Sequence, residues 1–331
     1  MEEDRTRARI EARLGILSAV GNAFLALLKL GLGWAGQSRA LFSDGVHNVA
    51  DLLVGGVGAL SARVAEKPPD EDHPYGHGKA EVLVAAGVAT FLGVLALLLV
   101  AQGIASFGNP EPPIPSWETL AAALFSLGLK VILYRTTIRE AERLSSYALR
   151  AVALDHRSDI WGSAAAASGI LGSYLACATP YAWFRHADAV GSIVVAVLIL
   201  HMAYDLLRET GDILMERTLP SETLERYAQV VRSFPEVRHI DRLRARTHGH
   251  YILVDLRIAV DEDLTVAQGH ELGRAVKEAL IAGDPRIREV LVHLNPYPRP
   301  TAAGSIPDAG RPATSGLPRT EDERETSGRS P

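Results

Sequence analysis

A single cysteine, Cys177, stands in 331 residues. One thiol cannot close an intrachain disulfide, and it excludes thiolate zinc clusters and Cys-x-x-Cys redox chemistry. Any metal held by this chain must rest on His, Asp and Glu. A basic surplus is missing too: 34 Lys and Arg face 39 Asp and Glu, a formal net charge of -5. That balance excludes a sequence-independent nucleic-acid binder, and no nucleic-acid partner is expected. Apolar residues are plentiful, at 47 % against 22 % charged, yet mean hydropathy is only slightly above zero. The two sets are segregated, with nearly all long apolar runs in the first two thirds and most of the charge in the last. At roughly 150 residues per domain, the length suggests about two units.

Ile16 to Trp34, with Asn22 and Lys29 as its strongly polar members, is long enough at about 1.5 Å per residue to cross a hydrocarbon core of about 30 Å. Comparable stretches run from Ala40 to Arg63, Glu81 to Phe107, Trp117 to Tyr134, Ala151 to Ala176 and Ala189 to Leu207. The expected fold is an α-helical membrane protein, a six-transmembrane-helix bundle in the lipid bilayer over 16–210, preceded by a cytoplasmic segment at 1–15. Runs such as Gly55-Gly56-Val57-Gly58 and Ala164-Ala165-Ala166-Ala167 suit close helix approach.

Lys and Arg mark the cytoplasmic side of short loops. Arg5, Arg7, Arg9 and Arg13 precede the first span, Arg63, Lys67 and Lys79 lie in the second loop, and Arg135, Arg139, Arg143 and Arg150 in the fourth. The first and fifth loops hold only Arg39 and Arg185, and the third, Gly108 to Ser116, holds no basic residue. Both termini are therefore expected in the cytoplasm of a multi-pass protein of the plasma or inner membrane. The first flank mixes acids with bases and its apolar run exceeds a signal-peptide core, so this span reads as permanent.

After Gly211 to Pro220 the pattern changes, and 211–297 is expected to form a cytoplasmic regulatory and dimerisation unit, an α+β (αββαβ, ferredoxin- or metallochaperone-like) domain. Ser221 is the expected N-cap of a helix carrying Leu224, Tyr227, Val230 and Val231. Val237 to Arg246 and Tyr251 to Val260 alternate as strands around the turn-like Thr247-His248-Gly249-His250. Thr265 to Ile281 has helical periodicity and Val290 to Leu294 reads as a short strand. A sheet with two helices on one face suits this order. From Pro298 onward, Pro, Gly, Ser and Thr without periodicity predict a disordered tail over 298–331.

The second span carries Asp44, His47 and Asp51, within about 60° of one another on one helix face. Ionisable groups at membrane depth cost a few kcal/mol and need partners. The fifth span offers them, because Asp155 and Asp159 are spaced i, i+4. His47, Asp51, Asp155 and Asp159 can assemble one imidazole and three carboxylates, a tetrahedral set for Zn²⁺ and a poor one for Mg²⁺. Asp44 and Asp155 lie near span ends, where solvated caps are the alternative, and His156 sits one position off the shared face. In the second loop, Asp70, His73 and His77 can close around a borderline-soft cation or simply be solvated.

Four stretches carry a resemblance: Gly21-Asn22-Ala23-Phe24-Leu25-Ala26-Leu27-Leu28-Lys29, Ala40-Leu41-Phe42-Ser43-Asp44-Gly45-Val46-His47-Asn48-Val49-Ala50-Asp51, His73-Pro74-Tyr75-Gly76-His77-Gly78-Lys79-Ala80-Glu81 and Asp155-His156-Arg157-Ser158-Asp159. Together, and in this order, they resemble the cation diffusion facilitator family of metal exporters, over about Gly15 to Pro296. The resemblance implies a homodimer that exchanges divalent metal for protons. It places a transport site on His47, Asp51, Asp155 and Asp159, and a loop site on Asp70, His73 and His77. It implies a third site at a cytoplasmic dimer interface on His270 and His293, with His248 or Asp241 assisting and Asn295 where some relatives supply a carboxylate. Lys79 and Glu216 match the family's charge interlock. Zinc-selective relatives often place His first in both helical pairs, whereas Asp155 makes this set oxygen-rich and leaves Fe²⁺, Mn²⁺ and Co²⁺ open beside Zn²⁺. The loop between the fourth and fifth spans has no histidine, so a His-rich delivery loop is absent.

The expected function is efflux of a divalent cation, Zn²⁺ foremost, by proton-coupled antiport with alternating access, in a secondary transporter rather than an enzyme. Metal needs neutral His47 and ionised carboxylates, so binding expels protons and release takes them back. The rivals are a non-transporting metal sensor or scaffold and an intramembrane metallohydrolase. For the latter, the sequence holds no His-Glu-x-x-His and no additional general base beside the pairs.

Overall fold

A computed structural model describes residues 2–179 and 181–297, with backbone alone at 2–9, 57–60, 62, 148 and 182. The expected tail at 298–331 lies outside the described residues. The described residues divide into two compact units, one within 2–62 and 83–209, the other within 63–82 and 210–297.

The first unit is built from α1 (Glu2–Ala35), α2 (Arg39–Ala65), α3 (Lys79–Ala105), α4 (Trp117–Arg143), α5 (Tyr147–Ala178) and α6 (Ala187–Leu214), of which α2, α3 and α6 run on into the second unit. Among the described residues, five helices are long and apolar enough to cross a membrane: α1, α3, α4, α5 and α6. The sixth expected span, α2, has the length, at 27 residues. Asp44, His47, Asn48 and Asp51 interrupt its apolar run. Several helices outrun their apolar stretches: α1 starts at Glu2 rather than Ile16, and α4 continues past Tyr134 to Arg143. Once nucleated, a helix propagates through good formers such as Arg, Glu and Ala whatever the solvent.

The burial pattern of this unit is inverted. Leu27, Phe91, Ile132 and Trp161 face outward, while Lys29, Asp44, His47, Lys130, His156 and Asp159 are buried. That is the arrangement expected where the surrounding solvent is hydrocarbon. Helix α4 lies along α5, and α1 packs on both. A Cβ on Gly45 would stand 2.9 Å from the backbone nitrogen of Leu30, so only glycine allows this approach of α2 to α1.

The start of α2 is capped from another helix. Asp188, at the start of α6, accepts from Ser38 Oγ at 2.6 Å, Arg39 N at 2.7 Å and Ala40 N at 3.3 Å. These satisfy backbone donors that a helix N-terminus leaves open. The Asp188 N–H in turn donates to Ser173 Oγ on α5 at 3.0 Å.

The second unit holds α7 (Ser221–Arg232), β1 (Val237–His248), β2 (Tyr251–Asp261), α8 (Val266–Gly283) and β3 (Ile287–Tyr297), in the α-β-β-α-β order read from the sequence. The sheet order is β1-β2-β3, antiparallel between β1 and β2 and parallel between β2 and β3. Alternate β2 residues Ile252, Val254, Leu256, Ile258 and Val260 pack against Leu224, Tyr227 and Val231 of α7 and Leu272, Val276 and Leu280 of α8. Two expectations shift in detail. Ser221 is the first helical residue rather than the cap, which is Pro220 and makes no side-chain bond. The hairpin turn tightens to Gly249 and His250, because Thr247 and His248 still pair with Ile252 and Tyr251, and Gly249 supplies the positive φ of 70°.

Candidate metal centre

Helices α2 and α5 bring the expected ligands together. His47 Nε2 stands 3.2 Å from Asp159 Oδ1. His47, Asp51 and Asp159 each offer a ligand atom within 4.8 Å of the others, and Asp155, His156 and Asp159 form a second such trio, so Asp159 belongs to both. Gly162 on α5 lies beside Asp44 and His47, where a Cβ would stand 3.7 Å from Asp44 Oδ1 and 3.8 Å from His47 Cδ2. Exposure is graded along the helices. His47 and Asp159 are 6 % and 2 % exposed, Asp51 is half-buried and Asp155 is exposed. The cluster therefore opens toward the end where α2 finishes and α5 begins. Asp51 Oδ2 and His47 Nδ1 are buried without a hydrogen-bond partner. Orphaned acceptors of this kind are uncommon in folded proteins, and they are groups that a bound cation would satisfy.

Two buried lysines share the region. Lys130, on α4, pairs with Asp159 Oδ2 and donates to Asn22 Oδ1 at 2.7 Å. Lys29, on α1, lies 2.7 Å from Asp44 Oδ2 and donates to Asn48 Oδ1 at 2.8 Å and Ser163 Oγ at 3.1 Å. Asp44 is thus engaged by Lys29 and belongs to neither trio. His156 is buried, with Nε2 3.1 Å from Ser18 Oγ and Nδ1 3.8 Å from Asp159 Oδ2. The sequence reading missed Lys130, although a lysine inside an apolar span was the available signal.

The second unit holds the loop cluster. Asp70 Oδ1 accepts from the His73 N–H at 2.7 Å, and Asp70 Oδ2 lies 3.4 Å from His77 Nε2. The rings of His73 and His77 sit 4.4 Å apart. The His73 backbone N–H, helped by both imidazoles, lowers the Asp70 carboxyl below its ordinary pKa. The other expected ligands are dispersed. His248 stacks on Tyr251 at 5.2 Å, and burial together with Lys79 lowers its pKa. Asp241 accepts from Asn295 Nδ2 at 2.6 Å, and His270 and His293 are exposed. Among the described residues, none of these four joins a ligand trio within one chain. His270 and Asn295 instead line a cavity of about 650 Å³ beside α8 and β3. Lys79 Nζ meets Glu216 Oε1 at 3.2 Å, which lowers the Glu216 pKa, and the Tyr251 hydroxyl donates to the Tyr75 carbonyl.

The donor chemistry of the α2–α5 cluster is oxygen-dominated, suited to a hard or borderline divalent cation. A family model described as the cation efflux transmembrane domain matches residues 15–215, and one described as the cation efflux protein cytoplasmic domain matches 219–297. The manganese efflux system protein MneP of Bacillus subtilis (strain 168) is 37 % identical over 291 residues, covering 88 % of this chain and 98 % of MneP. Metal tolerance protein C1 of Arabidopsis thaliana is 30 % identical over 302 residues, 86 % of this chain and 61 % of the plant protein. The cation-efflux pump FieF of Citrobacter koseri is 27 % identical over 295 residues, 88 % of this chain and 95 % of FieF. Among solved structures, a MamM-CTD is 32 % identical over 24 % of this chain and 100 % of that one, with a TM-score of 0.23.

Proposed function

The chain belongs to the cation efflux family, and from that membership we propose that it exports Mn²⁺, ahead of Zn²⁺, Fe²⁺ and Co²⁺, in exchange for protons. It is a multi-pass membrane transporter, not an enzyme. The observation that carries the metal preference is the convergence of His47, Asp51 and Asp159, joined by Asp155 through Asp159. Carboxylate oxygens outnumber imidazole nitrogen, which favours Mn²⁺ over softer ions, and the relative MneP is by name a manganese efflux protein.

In this proposal residues 16–210 form the transport domain, and both termini lie in the cytoplasm. The half-buried Asp51 and the exposed Asp155 then face the cytoplasm, while His47 and Asp159 form the sealed inner layer. Metal arriving at Asp51 and Asp155 is drawn against His47 and Asp159, and the ligands must be deprotonated to hold it. Closing the cytoplasmic end and opening the other would release the ion and let protons return to the same groups. Residues 211–297 form the regulatory and dimerisation domain, where a second copy would bring the dispersed His270 and His293 toward its own. Asp70, His73 and His77 form a separate loop site, whose ion is not transported.

The test is flux in proteoliposomes holding a pH-sensitive dye, run with Mn²⁺, Zn²⁺, Fe²⁺ and Co²⁺. Mn²⁺ movement should be accompanied by counter-movement of protons, and Asp51→Ala or Asp159→Ala should lower flux by about 100-fold, a loss of about 2.7 kcal/mol. Unchanged transport by both variants would sink the site assignment. Flux that ignores an imposed pH gradient would sink the antiport.

A further inference from the structure

We propose, resting on the assignment of His47, Asp51, Asp155 and Asp159 as the transport site, that Lys130 is a tethered cation. It holds Asp159 until a divalent ion displaces it, and so reserves the site against monovalent ions. Lys130 is fully buried on α4. Its ammonium meets Asp159 Oδ2 on one side and Asn22 Oδ1 on the other. With His47 Nε2 on Oδ1, both oxygens of Asp159 are already engaged. Among the carboxylates of the trio, Asp51 has an oxygen, Oδ2, with no hydrogen-bond partner. An incoming ion therefore meets Asp51 freely, but it must take Asp159 from Lys130.

The second lysine shows what a purely structural pairing looks like in the same bundle. Lys29 has Asp44, Asn48 and Ser163 as acceptors for its three donors. Lys130 has one carboxylate and one neutral amide, and Asn22 is a resting place to which the ammonium can retreat without leaving the protein. The stem on α4 keeps that ammonium at an effective concentration in the millimolar range or above. A sodium or potassium ion brings the same single charge and no tether, so it gains nothing by exchange. A divalent ion brings twice the charge, doubling the Coulomb attraction at equal distance, and binds several ligands at once. The site thus selects by valence without a size filter. When the metal leaves, Lys130 returns to Asp159, so the metal-free carrier does not bury an uncompensated carboxylate.

The test compares full-length wild type with Lys130→Met and Asn22→Leu, reading Mn²⁺ binding in detergent and Mn²⁺ flux in proteoliposomes. Each is run in sodium chloride and in choline chloride, at about 150 mM. Wild type should bind Mn²⁺ equally in both salts. Lys130→Met in choline should bind Mn²⁺ about tenfold more tightly and turn over more slowly, lowering KM and kcat together, and in sodium its binding should weaken several-fold. Asn22→Leu removes the resting place and should shift Mn²⁺ binding the opposite way, toward weaker affinity. If Lys130→Met does not fold, the Asn22→Leu shift and the salt-indifference of wild type decide the matter. Equal affinity in Lys130→Met and wild type, or a Lys130→Met protein indifferent to sodium, overturns the tethered-cation role. Unchanged affinity in Asn22→Leu overturns it as well. Asp159→Ala separates the two ideas. If it transports like wild type, the transport-site assignment itself fails. If it is inactive while Lys130→Met matches wild type, only the role of Lys130 fails.

Discussion

Asp155 occupies the most exposed place in the ligand cluster, and a single exchange there should retune the ion. Asp155→His gives two imidazoles and two carboxylates, the donor balance that suits Zn²⁺ better than Mn²⁺. In a mixed-metal flux assay the Zn²⁺ to Mn²⁺ ratio should rise by about tenfold, worth about 1.4 kcal/mol. A residue of the second unit offers a pH test. The Tyr227 hydroxyl donates to Asp284 Oδ2 at 2.8 Å, and burial, followed by that carboxylate, pushes the phenol up to about 12. A raised pKa favours the neutral form in the folded state, so the stabilisation is fully present below the ordinary tyrosine value of about 10. It should be lost as pH rises from there through about 12. Thermal melts of the full chain should show this alkaline step, and Tyr227→Phe should remove it. At this scale the sequence was most legible where polarity was out of place: His47, Asp51, Asp155 and Asp159 stand on helical spacing in apolar runs. Lys130 was not legible as a partner, because Asn22 lies 108 residues away and Asp159 lies 29 away on another helix.

Among the elements, α2 and β2 show how the same physics reads differently in two solvents. Helix α2 keeps its polar residues because α1 and α5 supply partners, Lys29 for Asp44 and Asn48, and Asp159 for His47. Strand β2 is central in its sheet and apolar except at Asp255, Arg257 and Asp261. Leu256, 1 % exposed in the core of the second unit, should cost about 2–5 kcal/mol when cut to alanine, seen as a lowered melting temperature of that unit. Thr265 caps α8 and exchanges bonds with Gln268 in a capping box. Thr265→Ala should cost about 0.5–2 kcal/mol in the same melt. The order of elements was readable from hydrophobic period alone, but their ends were not. Strand β3 runs over Ile287–Tyr297 rather than Val290 to Leu294, since parallel pairing with β2 extends it through Glu289 on one side and Asn295 on the other, which carry no apolar signal.

At the scale of the whole molecule, two units of opposite burial pattern follow from the segregation of apolar and charged residues along the chain. The proposed orientation is checkable with the lone thiol. Cys177 is exposed near the end of α5, so a membrane-impermeant maleimide should label it from outside intact cells and fail to do so from the outside of inverted vesicles. Which residues hold the ends of the bundle together was beyond the reach of sequence patterning, because the contact of Asp188 with Ser38 joins residues 150 apart. That contact has a mechanical corollary. Asp188 and Ser173 tie the start of α2 to α5 and α6, so this corner acts as a fulcrum. His47 lies eight residues along α2 from Arg39, about 12 Å from the fulcrum, and the opposite end of the helix lies more than twice as far. A small rotation about the corner would displace the far end of α2 about three times as far as His47. The tied end is fastened further, since the Ser116 N–H donates to the Gly36 carbonyl at 3.0 Å and the Tyr174 hydroxyl donates to the Pro115 carbonyl at 2.8 Å, so the stiff end of the lever also takes in the end of α1 and the start of α4.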